Sequence, residues 1–241
     1  GNGSSLEVID PQLDLNNPAN WNSSIRYHGT PGADIGQMPT VVINEVLAHS
    51  DAPLEDAIEL YNIGQAPVDL SGWFLSDSAN NLLKYRIPDG TTIAAGGYLV
   101  FYEHAFLLDN GDSGFSLSSV RGDEVWLTEV DLDGAPARFA DKVDFGPSAN
   151  GVSLGRFPNG TGPFVAMADL SLGSPVRAGQ DPSLLASFRA GKGAPNTGPL
   201  VGPIVISEIM YAPAEGLAEY VVLKNISDVT VSFFDPANPS N

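Results

Sequence analysis

Several stretches carry residue types that could do chemistry. Gly151-Val152-Ser153-Leu154-Gly155 satisfies the G-x-S-x-G pattern of a nucleophile elbow, which needs a strand, a sharp turn and a helix, with an acid and a histidine later in the chain. All three histidines, His28, His49 and His104, precede Ser153, and Arg156-Phe157-Pro158 cannot open a long helix. An edge strand is the simpler reading. Gly111-Asp112-Ser113-Gly114, with His49 upstream, imitates the His, Asp, Ser order of a chymotrypsin-like protease. The interval from His49 to Ser113 is too short for two six-stranded barrels, and Phe115 stands where a glycine is expected. A loop between strands accounts for Asn110-Gly111-Asp112.

Oxygen-rich stretches raise the question of a hard cation. Asp131-Leu132-Asp133-Gly134 has the first half of a calcium loop but lacks its third Asp or Asn and its closing Glu. A hairpin turn closed by Asp133-Gly134 is expected there, leaving Asp131 and Asp133 as the candidate metal ligands. Asp109, Asp112, Asp141 and Asp144 could join them only if loops converge. The histidines have no partner four residues away and suggest no zinc site. No cofactor is expected beyond a possible calcium ion. Glu45 and Glu208 stand in otherwise apolar runs and are expected to be structural, accepting backbone or Arg hydrogen bonds near a sandwich edge.

Short strands must position these residues. Thr40–Leu47, Ala57–Asn62, Tyr98–Tyr102 and Asp123–Val130 are rich in β-branched and aromatic residues, and the last alternates Val125 and Leu127 with Trp126 and Thr128. Between them lie Asp89-Gly90, Asn110-Gly111, Asp133-Gly134 and Asn159-Gly160, pairs that close hairpins. With 26 Gly and 19 Pro in 241 residues, long helices are excluded. The pattern predicts an all-β antiparallel sandwich.

Lys and Arg number 11 against 29 Asp and Glu, a net charge of −18. The basic residues are scattered, so nucleic acid is not an expected partner, nor is an anionic membrane surface. No apolar run reaches the roughly 18 residues of a membrane helix, so membrane insertion is not expected. The absence of cysteine excludes disulfides and thiolate chemistry. Sequons at Asn2, Asn22, Asn159 and Asn225 matter only in a glycosylating host.

Residues 1–39 read as a flanking segment, 40–165 as the sandwich, and 166–202 as a Pro/Gly-rich linker with a short helix at Ser183–Arg189. Residues 203–241 begin a repeat. Ile43, Glu45, Leu54, Leu60, Asn62 and Ile63 recur as Ile206, Glu208, Leu217, Leu223, Asn225 and Ile226, all at an offset of 163. The chain is accordingly expected to be a piece of a longer multidomain protein, with a truncated start of a second domain.

The ordered motifs Val41-Val42-Ile43-Asn44-Glu45-Val46, Ile58-Glu59-Leu60-Tyr61-Asn62, Val68-Asp69-Leu70-Ser71-Gly72-Trp73-Phe74, Tyr85-Arg86-Ile87-Pro88-Asp89-Gly90 and Ala95-Gly96-Gly97-Tyr98-Leu99 resemble the bacterial lamin tail domain, over about residues 40–157. That resemblance implies an immunoglobulin-like sandwich of roughly seven to nine strands in a large secreted or surface-attached bacterial protein, with no shared catalytic residues to carry over. Trp73, after Ser71-Gly72, is expected to fill the space between the sheets. The first functional expectation is therefore a non-enzymatic extracellular or cell-surface structural and interaction module. The alternative is a calcium-assisted carbohydrate-binding or adhesion module, with Tyr61, Tyr85, Tyr102 and Trp126 as the sugar platform if they form an exposed strip. The partner, protein or carbohydrate, is not named by the sequence, and self-association through free strand edges in 203–241 is a further possibility.

Overall fold

In the computed structural model the described residues are 5–31, 38–107, 114–172 and 182–233. They divide into two units, Gly1–Gly198 and Pro199–Asn241. The protease-like triplet members Asp112 and Ser113, the candidate ligand Asp109 and the sequon at Asn2 lie outside the described residues.

The first unit opens with a small hairpin of β1 (Leu6–Val8) and β2 (Trp21–Ser23). Next come β3 (Val41–Leu47), β4 (Ala57–Asn62), β5 (Val68–Asp69), β6 (Phe74–Ser76), β7 (Tyr85–Arg86), β8 (Thr92–Ile93) and β9 (Tyr98–Tyr102). After the one-turn helix α1 (Glu103–Phe106) follow β10 (Asp123–Val130), β11 (Pro136–Phe145), β12 (Leu154–Arg156) and β13 (Phe164–Ala166). Strands pair antiparallel in the orders β11-β10-β6-β7 and β13-β12-β3-β4-β9, with β5 and β8 as a separate short pair.

Period-two patterning builds the space between the sheets. Ile43, Val46, Ile58 and Leu60 of the five-stranded sheet meet Leu75, Val125, Leu127 and Val143 of the four-stranded one in a single core, with Trp73 among them. Each fully buried aliphatic side chain contributes roughly 1.5–3 kcal/mol. Asp141 ties the sheets together: it accepts the Ile43 N–H at 2.7 Å and both its oxygens take Arg156 Nη2, at 3.0 and 2.9 Å. The all-β sandwich read from the sequence is the observed architecture.

The outer faces are covered by the two segments expected to lie apart from the core. On the four-stranded sheet, Trp126 and Phe139 pack with Leu82 and Tyr27, and Phe139 N–H and Tyr27 N–H bond Ile25 and Ala137 carbonyls at 2.7 and 3.0 Å. The flank thus adds a bridge, Arg26 to Arg138, beside the outer strand β11. Over the five-stranded sheet run residues 167–172 and 182–198, which include a 3-10 turn at Pro182–Leu184 and the helix α2 (Leu185–Arg189). Leu172 and Phe188 are fully buried against Leu47, Leu54, Ala57 and Tyr102. These residues form a strap on the sandwich, because single large side chains fill gaps that no strand covers.

The second unit contains the hairpin of β14 (Ile204–Met210) and β15 (Tyr220–Asn225). Its apolar residues are open, Ile206, Val221 and Leu223 each being more than half exposed.

Candidate functional site

The densest polar chemistry lies beneath the strap, and a β-bulge creates it. Ile43 pairs with Leu60 and Glu45 with Glu59, leaving Asn44 as the extra residue. One additional residue turns both Asn44 and Glu45 away from the core while Ile43 and Val46 stay inside. Asn44, Glu45 and Glu59 have no exposure at all.

Both carboxyls are met by donors from the strap, joined by Ser153 before β12 for Glu45 and by Asn44 of β3 for Glu59. Glu45 accepts the hydroxyls of Ser153 and Ser171, and the Ser171 N–H at 3.3 Å. Glu59 accepts Asn44 Nδ2 at 2.7 Å and the Ala194 N–H at 3.0 Å. The preceding residue, Gly193, has φ +83°, and a Cβ there would stand 2.4 Å from Glu59 Oε2, so only glycine lets the backbone come this close. Asn196 completes the network: its Nδ2 donates to the carbonyls of Asn44 and Arg156 at 3.0 and 2.9 Å, and its N–H donates to Asn159 Oδ1 at 3.0 Å. Asn44 Oδ1 takes the Gly160 N–H at 2.9 Å, and Asn159 Nδ2 donates to the Tyr98 hydroxyl at 2.9 Å.

Electrostatics follow from burial. Desolvation pushes the Glu59 carboxyl up to about 9, with the facing Glu45 adding to the rise. Glu45 is also raised by burial, against the lowering effect of the two serine hydroxyls. Further along the strap the balance reverses at Glu55. Burial alone would raise it, but the fork of Arg189 at 2.6 and 2.7 Å and His104 Nδ1 at 2.8 Å hold it below the usual carboxylate range.

Glu45 was expected to be structural, accepting backbone or Arg hydrogen bonds near an edge. It does accept a backbone N–H, that of Ser171, but beside two serine hydroxyls rather than Arg and in the middle of the sheet, since β3 runs between β12 and β4. Ser153 leads into β12, which lies between β13 and β3 and not at an edge. Its hydroxyl is buried and given to Glu45, while His49 bonds the Ser148 carbonyl at 2.9 Å, so the elbow pattern assembles no nucleophile and base.

The condition on the aromatic platform, that its members form an exposed strip, is not met by three of the four candidates. Tyr85, Tyr102 and Trp126 are buried, because the core, the strap and the flank cover them. Tyr102 donates to strap carbonyls of Leu172 and Gly191 at 3.3 and 3.0 Å. Tyr61 alone of the four is half-buried, and it stacks on Tyr98 with ring centres 4.5 Å apart. Asp131 and Asp133 form the β10–β11 turn: Asp131 Oδ1 accepts the N–H groups of Asp133 and Ala135, each at 2.9 Å, with Gly134 at φ +79°. Asp144 pairs with Lys142 at 2.9 Å and Asp141 with Arg156. Among the described residues, no three His, Cys, Asp or Glu side chains converge as a metal cluster. No helix among them is long and apolar enough to cross a membrane.

With two sheets, their order and the covered faces in view, the comparison with known families is decisive for the sandwich: residues 36–136 match the family model of the Lamin Tail Domain. This stretch is a lamin tail domain. The match ends at the first residue of β11, so it takes in β3 to β10, while β11 to β13 and the strap complete the observed fold. No curated protein matches the chain. Lamin tail domains are immunoglobulin-like, in general non-catalytic, and serve as structural or interaction modules.

Sequence reasoning missed Glu59, Ser171 and Asn196. Glu59 reads as the solvent side of an alternating strand, and the other two sit in Pro/Gly-rich sequence. The one available signal was Asn44-Glu45, two polar residues side by side in an apolar strand.

Proposed function

We propose that the chain is a non-catalytic structural and interaction module of an extracellular or cell-surface bacterial protein, in which lamin tail domains follow one another in tandem. The observation that carries this reading is the use of the buried polar cluster: Asn44, Glu45, Glu59, Ser153, Ser171 and Asn196 bond one another and the strap, so their chemistry holds the fold. The tandem element is supported by the second unit, whose hairpin repeats the first hairpin at the same sequence offset. The acidic surface suits an array whose members repel one another. Burial of Tyr85, Tyr102 and Trp126 favours this reading over the sugar-binding alternative.

The test is a glycan-array screen together with calorimetric titration of calcium into chelator-stripped protein. The reading expects no glycan signal and no saturable heat. Saturable calcium binding with a raised melting temperature, or a reproducible glycan hit lost on Tyr61→Ala, would replace it with the adhesion alternative.

A further inference from the structure

The Glu45–Glu59 pair does more than satisfy hydrogen bonds. The two carboxyls are directly opposite across β3 and β4, both without exposure, and neither has an ion pair among the described residues. Beside the Ser153 hydroxyl on Glu45 and Asn44 Nδ2 on Glu59, each takes donors from the strap, the Ser171 hydroxyl and N–H on one and the Ala194 N–H on the other. Two carboxylates so placed cannot both ionise without a cation unless water reaches them.

We infer that the strap is a proton-dependent latch: while the Glu45–Glu59 pair retains a proton, Ser171 and Gly193–Asn196 stay closed on the five-stranded sheet, and full ionisation of the pair opens that polar half.

The groups around the pair leave this assignment intact. On β9, Tyr98 is raised to about 12 and Tyr102 is raised by burial, so both keep their protons in the range concerned. On β12, Arg156 is engaged by Asp141. Within the strap, Arg189 is engaged by Glu55 and Lys192 is exposed. Asp56, beside Ser50, is pushed up to about 6 by burial and belongs to the turn before β4, where Glu103, His49 and Glu55 also face it. The apolar half of the strap, Phe188 with Leu172, and the Arg189–Glu55 fork do not depend on the latch and keep the segment tethered when it opens.

The sign follows from linkage. Between an ordinary carboxyl near 4.5 and the folded value of Glu59 near 9, the closed form holds a proton that the open form has released. Closure is therefore strongest in mild acid and weakens as pH rises through that window. Opening uncovers the polar Asn44, Glu45 and Glu59 face of the sheet, which the acid form conceals, while the Leu172 and Phe188 contacts stay in place.

Amide hydrogen exchange on the whole chain, corrected for intrinsic rates, reads this directly. Between pH 6 and pH 9.5 the protection of the Ser171 and Ala194 amides should fall by about ten-fold or more, while Leu60 and Leu127 in the core stay protected. Glu59→Gln should flatten the response. Glu45→Gln, whose amide the two serine hydroxyls can accommodate by reversing roles, should shift the midpoint to lower pH and reduce the amplitude. Should Glu59→Gln fail to fold, Glu45→Gln decides the matter alone. Unchanged protection in the wild type, equal loss at the core amides, or a variant response identical to wild type would overturn the latch.

Discussion

Two hairpins in this molecule share one design and meet opposite fates. In β3–β4, Val41 pairs with Asn62, Ile43 with Leu60, Glu45 with Glu59 and Val46 with Ile58. In β14–β15 the pairs Ile204 with Asn225, Ile206 with Leu223, Glu208 with Val222 and Ile209 with Val221 fall at the same offset, and the bulge recurs, with Ser207 where Asn44 stands. Even the exits agree: Asn62 Nδ2 bonds the Ala66 carbonyl at 2.8 Å and Asn225 Nδ2 the Val229 carbonyl at 2.7 Å. Yet Ile43 and Leu60 have no exposure, while Ile206 and Leu223 are 60% and 52% exposed. Register, bulge and turn are thus written locally, whereas burial is conferred by what packs on the hairpin. Glu45 lies in a hydroxyl-lined pocket; among the described residues, Glu208 takes the exposed Tyr220 hydroxyl alone, at 2.7 Å.

Paired substitutions sharpen the contrast. The largest effect belongs to the core: Leu60→Ala should cost about 2–5 kcal/mol in urea unfolding of the sandwich, and Leu223→Ala less than about 0.5. Equal losses would mean that both hairpins are buried in solution. A smaller difference is expected at the polar layer. Ser171→Ala removes one donor to Glu45 and should cost about 1–3 kcal/mol, against nothing measurable for Ser207→Ala. Next comes the β10–β11 turn, where Asp131→Ala should lose about 0.5–1.5 kcal/mol through the bonds to Asp133 and Ala135, a comparison between a capped hairpin and a merely paired one. Least of all, adding calcium or chelator should leave the melting temperature of both wild type and Asp131→Ala unmoved. A calcium-dependent shift that Asp131→Ala abolishes would make the turn a ligand loop.

Much of this was legible in the residues. Alternation in Asp123–Val130 put Val125 and Leu127 in the core, Trp73 fills the intersheet space, and the offset of 163 foretold the pairing of the second hairpin. The strap was not legible, for a physical reason. Its anchors Leu172, Phe188 and Asn196 are single residues separated by turn formers, so no period marks them, and Gly and Pro there describe a path pressed onto a surface as well as they describe a free linker. Glu59 was hidden by the reverse problem. Its alternation is right, since it does leave the core face, but a second layer waits on the other side. Trp126, a platform candidate only if it faced outward, is covered in the same way, with Tyr27 and Phe139 packed on it.

The strap has one more consequence, for tension. It binds residues 171 and 193–196, at the end of the first unit, to residues 44, 45 and 59, near its beginning. A pull entering the chain at Pro199 meets Gly198, whose carbonyl takes the Ala168 N–H at 2.8 Å, and then Asn196, which grips β3 and β12 through side-chain bonds. Load therefore passes into the middle of a five-stranded sheet before it can peel the outer strand β13, and the strap works as a strain relief, like the collar where a cable enters its housing.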